Sequence, residues 1–148
     1  MEVTCYQINA FVDKALGFKG NAACIVPLTE WPDDEVMLRI AKENGVAETA
    51  FFIPNPQGSQ CAFSLRWFTP DIEMDLCGHA TLATAYTIAT QIGFGSDTIT
   101  FSSNSGGSLH SRLSFEGPEA GLPASEHTGF AQHQACGGDP RTRLRASL

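Results

Sequence analysis

Residues Gly78 to Ile92 read Gly-His-Ala-Thr-Leu-Ala-Thr-Ala-Tyr-Thr-Ile-Ala-Thr-Gln-Ile, and this run constrains the fold more than any other. Leu82, Ala85, Tyr86, Ala89 and Ile92 recur at three- and four-residue spacing, and Gly93 and Gly95 supply the stop, so the run predicts a helix. Its small residues, Ala80, Ala83, Ala85 and Ala89, let that helix lie close inside a curved sheet. The lead-in is Arg66-Trp67-Phe68-Thr69-Pro70, a strand that stops at proline, followed by the acidic loop Asp71-Ile72-Glu73-Met74-Asp75-Leu76. The chain thus delivers Cys77-Gly78-His79 to the first helical turn. Unpaired backbone N–H groups and the positive end of the helix dipole meet there, which suits a carboxylate or an oxyanion.

Strands fill most of the remaining chain. Val3 to Phe11 is β-prone on both faces, and Asp13 to Asn21 reads as a Gly-containing connection to a short strand, Ala22 to Pro27. Pro32 followed by Asp33, Asp34 and Glu35 opens an amphipathic helix to Asn44, with Val36, Met37, Ile40 and Ala41 on one face and Gly45 as its left-handed stop. Glu48 to Ile53 is a strand. It is joined by Pro54-Asn55-Pro56-Gln57-Gly58 to a second in which Cys61, Phe63, Leu65 and Trp67 alternate with Ala62, Ser64, Arg66 and Phe68. Thr98 to Ser102 and Leu109 to Phe115 form a further hairpin about Asn104-Ser105-Gly106-Gly107. From Glu116 to Leu148 there is no Ile, Val, Tyr or Trp; this segment is expected to be largely disordered, because it cannot bury enough apolar surface to offset its ordering entropy.

With 148 residues the chain holds one domain, or one lobe of something larger. A formal net charge of −7 excludes a general nucleic-acid binder, which needs clustered Lys and Arg, and points to a small-molecule or protein partner. No apolar run is long enough to cross a bilayer and the N-terminus lacks a signal-peptide pattern, so no membrane partner and a cytoplasmic location are expected. The five cysteines, Cys5, Cys24, Cys61, Cys77 and Cys136, form no Cys-x-x-Cys pair, and Cys5, Cys24 and Cys61 are expected to be buried reduced thiols.

The candidate chemistry sits on few residues. Glu48 stands at the mouth of an apolar strand pair, where desolvation raises a carboxyl pKa toward the range useful for moving protons to and from carbon. Taken alone, the commoner reading is a solvent-facing Glu. His79, at a helix start, is expected to be neutral and able to donate to a substrate oxygen; by itself such a His is more often a surface or capping residue. Asp71, Glu73 and Asp75 alternate in the loop, but without a calcium-type loop or a His pair they read as a solvated acidic stretch, and no metal is expected.

Three motifs in order carry a resemblance. Phe18-Lys19-Gly20-Asn21-Ala22-Ala23, Ala47-Glu48-Thr49-Ala50-Phe51, and Arg66-Trp67-Phe68-Thr69-Pro70 with Leu76-Cys77-Gly78-His79-Ala80-Thr81 resemble the signatures of the phenazine-biosynthesis PhzF-like isomerases, relatives of diaminopimelate epimerase. The resemblance runs from about residue 1 to residue 115. It implies an α+β fold: one diaminopimelate-epimerase-like lobe, a curved mixed sheet wrapped around a central helix, with residues 116–148 replacing the second lobe. It also implies a cofactor-independent isomerase that moves a proton on a small carboxylated substrate. Glu48 would be the general acid/base, and Gly78, His79, Asn21 and Cys77 would surround the substrate. In racemase and epimerase relatives a Cys-Gly at this helix start exchanges the α-proton, which makes a thiol-dependent reaction one alternative; here Cys77 reads as structural. A non-catalytic lobe that binds ligand or forms a homodimer is another. Ala22 stands where the family usually has proline and Ala47 where it has serine, changes that loosen the turn and remove a hydroxyl beside Glu48.

Overall fold

The computed structural model describes residues 3–13, 16–96, 98–104, 108–116, 130–133 and 143–147. In chain order the elements are β1 (Tyr6–Asp13), β2 (Phe18–Pro27), α1 (Asp34–Asn44), β3 (Glu48–Pro54), β4 (Phe63–Phe68), β5 (Glu73–Met74), α2 (Gly78–Thr87), β6 (Thr98–Ser103), β7 (Ser108–Glu116), β8 (Phe130–His133) and β9 (Arg143–Ser147). The strands form one mixed sheet in the order β3-β2-β1-β8-β9-β7-β6-β4-β5, and β3 also pairs with β4. That extra pairing curls the sheet round on itself, with α2 packed against β1, β2, β3 and β7. The expected α+β lobe is what the chain forms.

Period-two alternation separates the two faces of the sheet. Ala23, Ile25, Ala50, Phe52, Leu65 and Trp67 join the cluster around Leu82, Ala83, Ala85 and Tyr86 of α2. Their neighbours Cys24, Val26, Phe51 and Phe68 face the other way and bury Met37 and Ala41 of α1. A strand covered on both faces cannot alternate apolar with polar, which is why residues 22–27 of β2 and 50–53 of β3 are unbroken apolar runs. Helix α1 links the parallel pair β2 and β3, with Ala23 opposite Glu48 and Val26 opposite Phe51, and Gly45 ends it at φ +64°. Strands β3 and β4 form the expected antiparallel pair, Thr49 opposite Phe68 through Pro54 opposite Phe63.

Every residue of α2 from His79 to Thr87 is buried. A helix so enclosed leaves no water for its hydroxyl groups, and Thr81, Thr84 and Thr87 donate to the carbonyls of Cys77, Ala80 and Ala83 at 2.7, 2.7 and 3.0 Å. Beyond Thr87 the helix widens into a π-helical turn, Ile88–Ile92, closed by Gly93 at φ +75°. The run thus ends where its glycines predict.

Two expectations need correction. Gly20 and Asn21 lie inside β2 rather than in a connecting turn: β1 and β2 pair from Tyr6–Ile25 to Asp13–Phe18, and the ladder is interrupted only at Phe11 and Gly20. Both residues have positive φ, +60° and +79°, and a Cβ on Gly20 would strike the Ala10 carbonyl, so the glycine marks a kink within a hairpin. Cys5 is exposed rather than buried, and it pairs with Cys24 in a disulfide, their Cα atoms 6.1 Å apart. The register explains it: Gln7 lies opposite Cys24, so Cys5, two residues earlier, is within a disulfide's reach. Beyond Glu116 the described residues are β8 and β9, which pair with β1 and β7 and with each other. Open strand edges recruit such segments, whatever their side chains, because their backbone groups need partners. The rest of the tail lies outside the described residues, as do Ser105 to Gly107 of the expected β6–β7 turn.

Candidate active site

The alternation that builds the core also aims the site. Glu48 shares the inner face of β3 with Ala50 and Phe52, and Asn21 shares that of β2 with Ala23 and Ile25. Both therefore point toward α2, at the end of the sheet where its first turn begins. There the Glu48 Oε2 atom lies 3.0 Å from His79 Nε2, with the two side chains only 20% and 9% exposed. On the other edge of the ring, His79 Nδ1 lies 3.4 Å from Asn21 Nδ2 and 3.4 Å from Cys77 Sγ. Asn21 itself is exposed, and Gly78 is half-buried.

An amide NH2 only donates, so with Asn21 oriented this way Nδ1 is an acceptor and the imidazole proton sits on Nε2, facing the carboxylate. Glu48 Oε2 and His79 Nε2 are both sealed from solvent, yet the carboxylate lies off the line of the ring N–H, so neither atom has an aligned hydrogen bond. Two buried polar atoms kept close but imperfectly paired are suited to engaging a third group. Burial pushes the Cys77 thiol above its ordinary range; the amide of Ala80 partly opposes this, and the negative charge of Glu48 adds to it. At the head of α2, Cys77 is the N-cap residue and forms no side-chain cap hydrogen bond.

The structure brings together Glu48, His79, Cys77 and Asn21, with Gly78 between the last two helix-start side chains in sequence. The one feature sequence reasoning did not single out as a positioning group is Arg66. Its side chain is 8% exposed; Nε and one terminal nitrogen donate to the two oxygens of Glu73 at 2.7 and 2.6 Å, and the other meets Asp34 at 2.9 Å. The guanidinium also lies over Trp31 and Phe68, 5.5 and 5.2 Å from the ring centroids. Its pKa is raised, chiefly by Glu73, against the effect of burial. The charge of Arg66 in a strand with no other charged residue was the available signal. This network ties the acidic loop to β4 and α1 ahead of α2, so Glu73 is not a freely solvated acid. A cavity of about 210 Å³ between Arg66, Trp67, Glu73 and Asn104 shares no residue with the Glu48 cluster.

A curled mixed sheet around a buried helix is the fold of one lobe of the phenazine-biosynthesis type. The chain belongs to the PhzC-PhzF phenazine biosynthesis-like family, whose model matches residues 8–116. It is 45% identical over 106 residues to an uncharacterized isomerase of Pseudomonas aeruginosa, covering 72% of this chain and 39% of that one. A human phenazine biosynthesis-like domain-containing protein is 38% identical over 128 residues, 83% of this chain and 43% of the relative. The crystal structure of a PhzF-family protein from Enterococcus faecalis superposes with a TM-score of 0.68 at 39% identity, covering 78% of this chain and 43% of that chain. This chain therefore spans about two fifths of the length of these relatives. Among the described residues no helix is long and apolar enough to cross a membrane.

Proposed function

We propose that the cluster at the head of α2 is a proton-transfer site of a cofactor-independent isomerase acting on a small carboxylated metabolite. The observation that carries the reading is the Glu48–His79 contact, 3.0 Å between two mostly buried groups beside a helix N-terminus. Glu48 takes a proton from carbon and returns it to a neighbouring position. The first-turn amides at Gly78, with the Nε2–H of His79, hold the substrate carboxylate or the enolate that develops as the proton leaves. His79 moves from facing Glu48 to facing substrate by a small ring adjustment. The raised pKa of Cys77 leaves little thiolate at neutral pH, which argues against the thiol-dependent alternative.

The test is exchange of carbon-bound protons of small carboxylic acids in deuterated water, followed by NMR. The unmodified chain is expected to exchange and Glu48→Gln to lose exchange by about a hundredfold or more, the usual scale of a general base. Equal rates in the two proteins refute the assignment of Glu48.

One observation supports a second reading, a lobe that self-associates without turnover. Phe11, Leu16 and Phe18, on the β1–β2 hairpin, are 43%, 72% and 61% exposed, an apolar group that a second copy of the chain would cover. Sedimentation velocity separates the readings: a dimer dispersed by Phe18→Ser, with no proton exchange in the parent, favours the second.

A further inference from the structure

We propose that Glu48, Cys77 and His79 also form a binding site for a single zinc-class divalent cation. The donor atoms of the three side chains all lie within 4.8 Å of one another. Ligands about a tetrahedral zinc ion are spaced about 3.5 Å apart, as bonds of about 2.0 Å to nitrogen or oxygen and 2.3 Å to sulfur require. Two of the contacts already have this scale: Sγ to Nδ1 at 3.4 Å, and Oε2 to Nε2 at 3.0 Å. These two contacts use opposite nitrogens of one ring, so a single ion keeps one of them and draws in the third side chain by rotation, from a set of one donor atom per residue that lies within 4.8 Å.

The chemistry selects the ion. Thiolate and imidazole are soft to borderline donors that favour zinc or cadmium over magnesium or calcium. Glu48 carboxylate and Cys77 thiolate together balance a charge of two. The helix dipole, which disfavours a bare cation at this end, favours the anionic thiolate at the N-cap. On binding, the ion displaces the Cys77 proton to solvent and forms the metal–sulfur bond in its place, so affinity rises with pH. Glu48 Oε2 and His79 Nε2, buried without an aligned partner, gain one. Three protein ligands leave the fourth position to water. An occupied site also removes Glu48 from proton transfer, so the ion acts as an inhibitor of the activity proposed above, although its binding does not depend on that activity.

The experiment is titration of the full chain under argon, with its Cys5–Cys24 disulfide intact, with cadmium chloride and then zinc chloride. Expected are one cadmium per chain at this site, an ultraviolet thiolate-to-cadmium charge-transfer band, and displacement by zinc. Cys77→Ser removes the band, and Cys61→Ser leaves it unchanged. His79→Gln and Glu48→Gln each weaken binding by about tenfold or more, since even outer-shell losses reach that scale. Cadmium-113 NMR on the unmodified chain reads the ligand set without any substitution and is expected to report one sulfur with nitrogen and oxygen. Absence of the band, a band that survives Cys77→Ser, a sulfur-only signal, or affinity indifferent to both His79→Gln and Glu48→Gln overturns the site. Metal binding without proton exchange in the metal-free chain would sink the isomerase reading and leave this one standing.

Discussion

Replacing Glu73 by glutamine is expected to destabilise the lobe more than replacing its partner Arg66 by methionine, although both changes break the same ion pair. The asymmetry follows from which charge is sealed. Arg66 is 8% exposed, whereas Glu73 is 32% exposed and Asp34 is 72% exposed. When methionine replaces Arg66, its apolar stem still packs on Trp31 and Phe68, and both carboxylates can turn to water; the cost is about 1–2 kcal/mol. When glutamine replaces Glu73, the guanidinium stays buried while one of its two bonds, 2.7 and 2.6 Å in the parent, faces an amide NH2 that cannot accept it. Breaking a buried pair from that side costs about 3–5 kcal/mol, and the surviving contact to Asp34 puts this case at about 3. Urea unfolding at neutral pH, followed by circular dichroism, measures both, and the double variant should be no less stable than Arg66→Met alone. If Arg66→Met proves as costly as Glu73→Gln or costlier, burial of the guanidinium does not set the energetics of the network.

Two further outcomes follow from groups inside the lobe. Burial raises the pKa of the Cys77 thiol above 9.0 and of the Tyr86 phenol above 10.0, so the unfolded chain releases these protons at lower pH than the folded one. Stability is therefore expected to fall as pH rises past about 9, and Cys77→Ser combined with Tyr86→Phe should flatten that slope in denaturation measured from pH 8 to 11; an unchanged slope assigns the loss elsewhere. Gly20→Ala is expected to cost about 2–4 kcal/mol in urea unfolding, because φ is +79° and the new Cβ meets the Ala10 carbonyl; a loss below about 1 kcal/mol shows that the kink relaxes freely.

The parts of the fold that were legible in the sequence are those written in local periodicity. The alternation of Phe63, Leu65 and Trp67 reads directly as β4, and the alanines of α2 read as a helix enclosed by sheet. What the sequence withheld depends on register between distant strands. Nothing local to Cys5 or Cys24 says that they meet, since that follows from Gln7 pairing with Cys24. Gly20 was misplaced because glycine at positive φ serves a mid-strand kink as well as a turn. The candidate site shows both sides. Glu48 and His79 were each visible as residues suited to proton transfer, and their motifs marked them. Their separation of 3.0 Å arises from the parallel pairing of β2 with β3 and from the point where α2 starts. Arg66 was hidden because its partners Asp34 and Glu73 come from a helix upstream and a loop downstream.

The enclosure of α2 divides labour along a single helix. From Ala80 to Thr87 every side chain is walled in, so changes there act first on how tightly the lobe holds together. The opening residues Cys77 and His79 share their surroundings with Glu48 and Asn21. Variation can thus retune reactivity at one tip of the rod while leaving the mechanical interior untouched, and the reverse holds equally well.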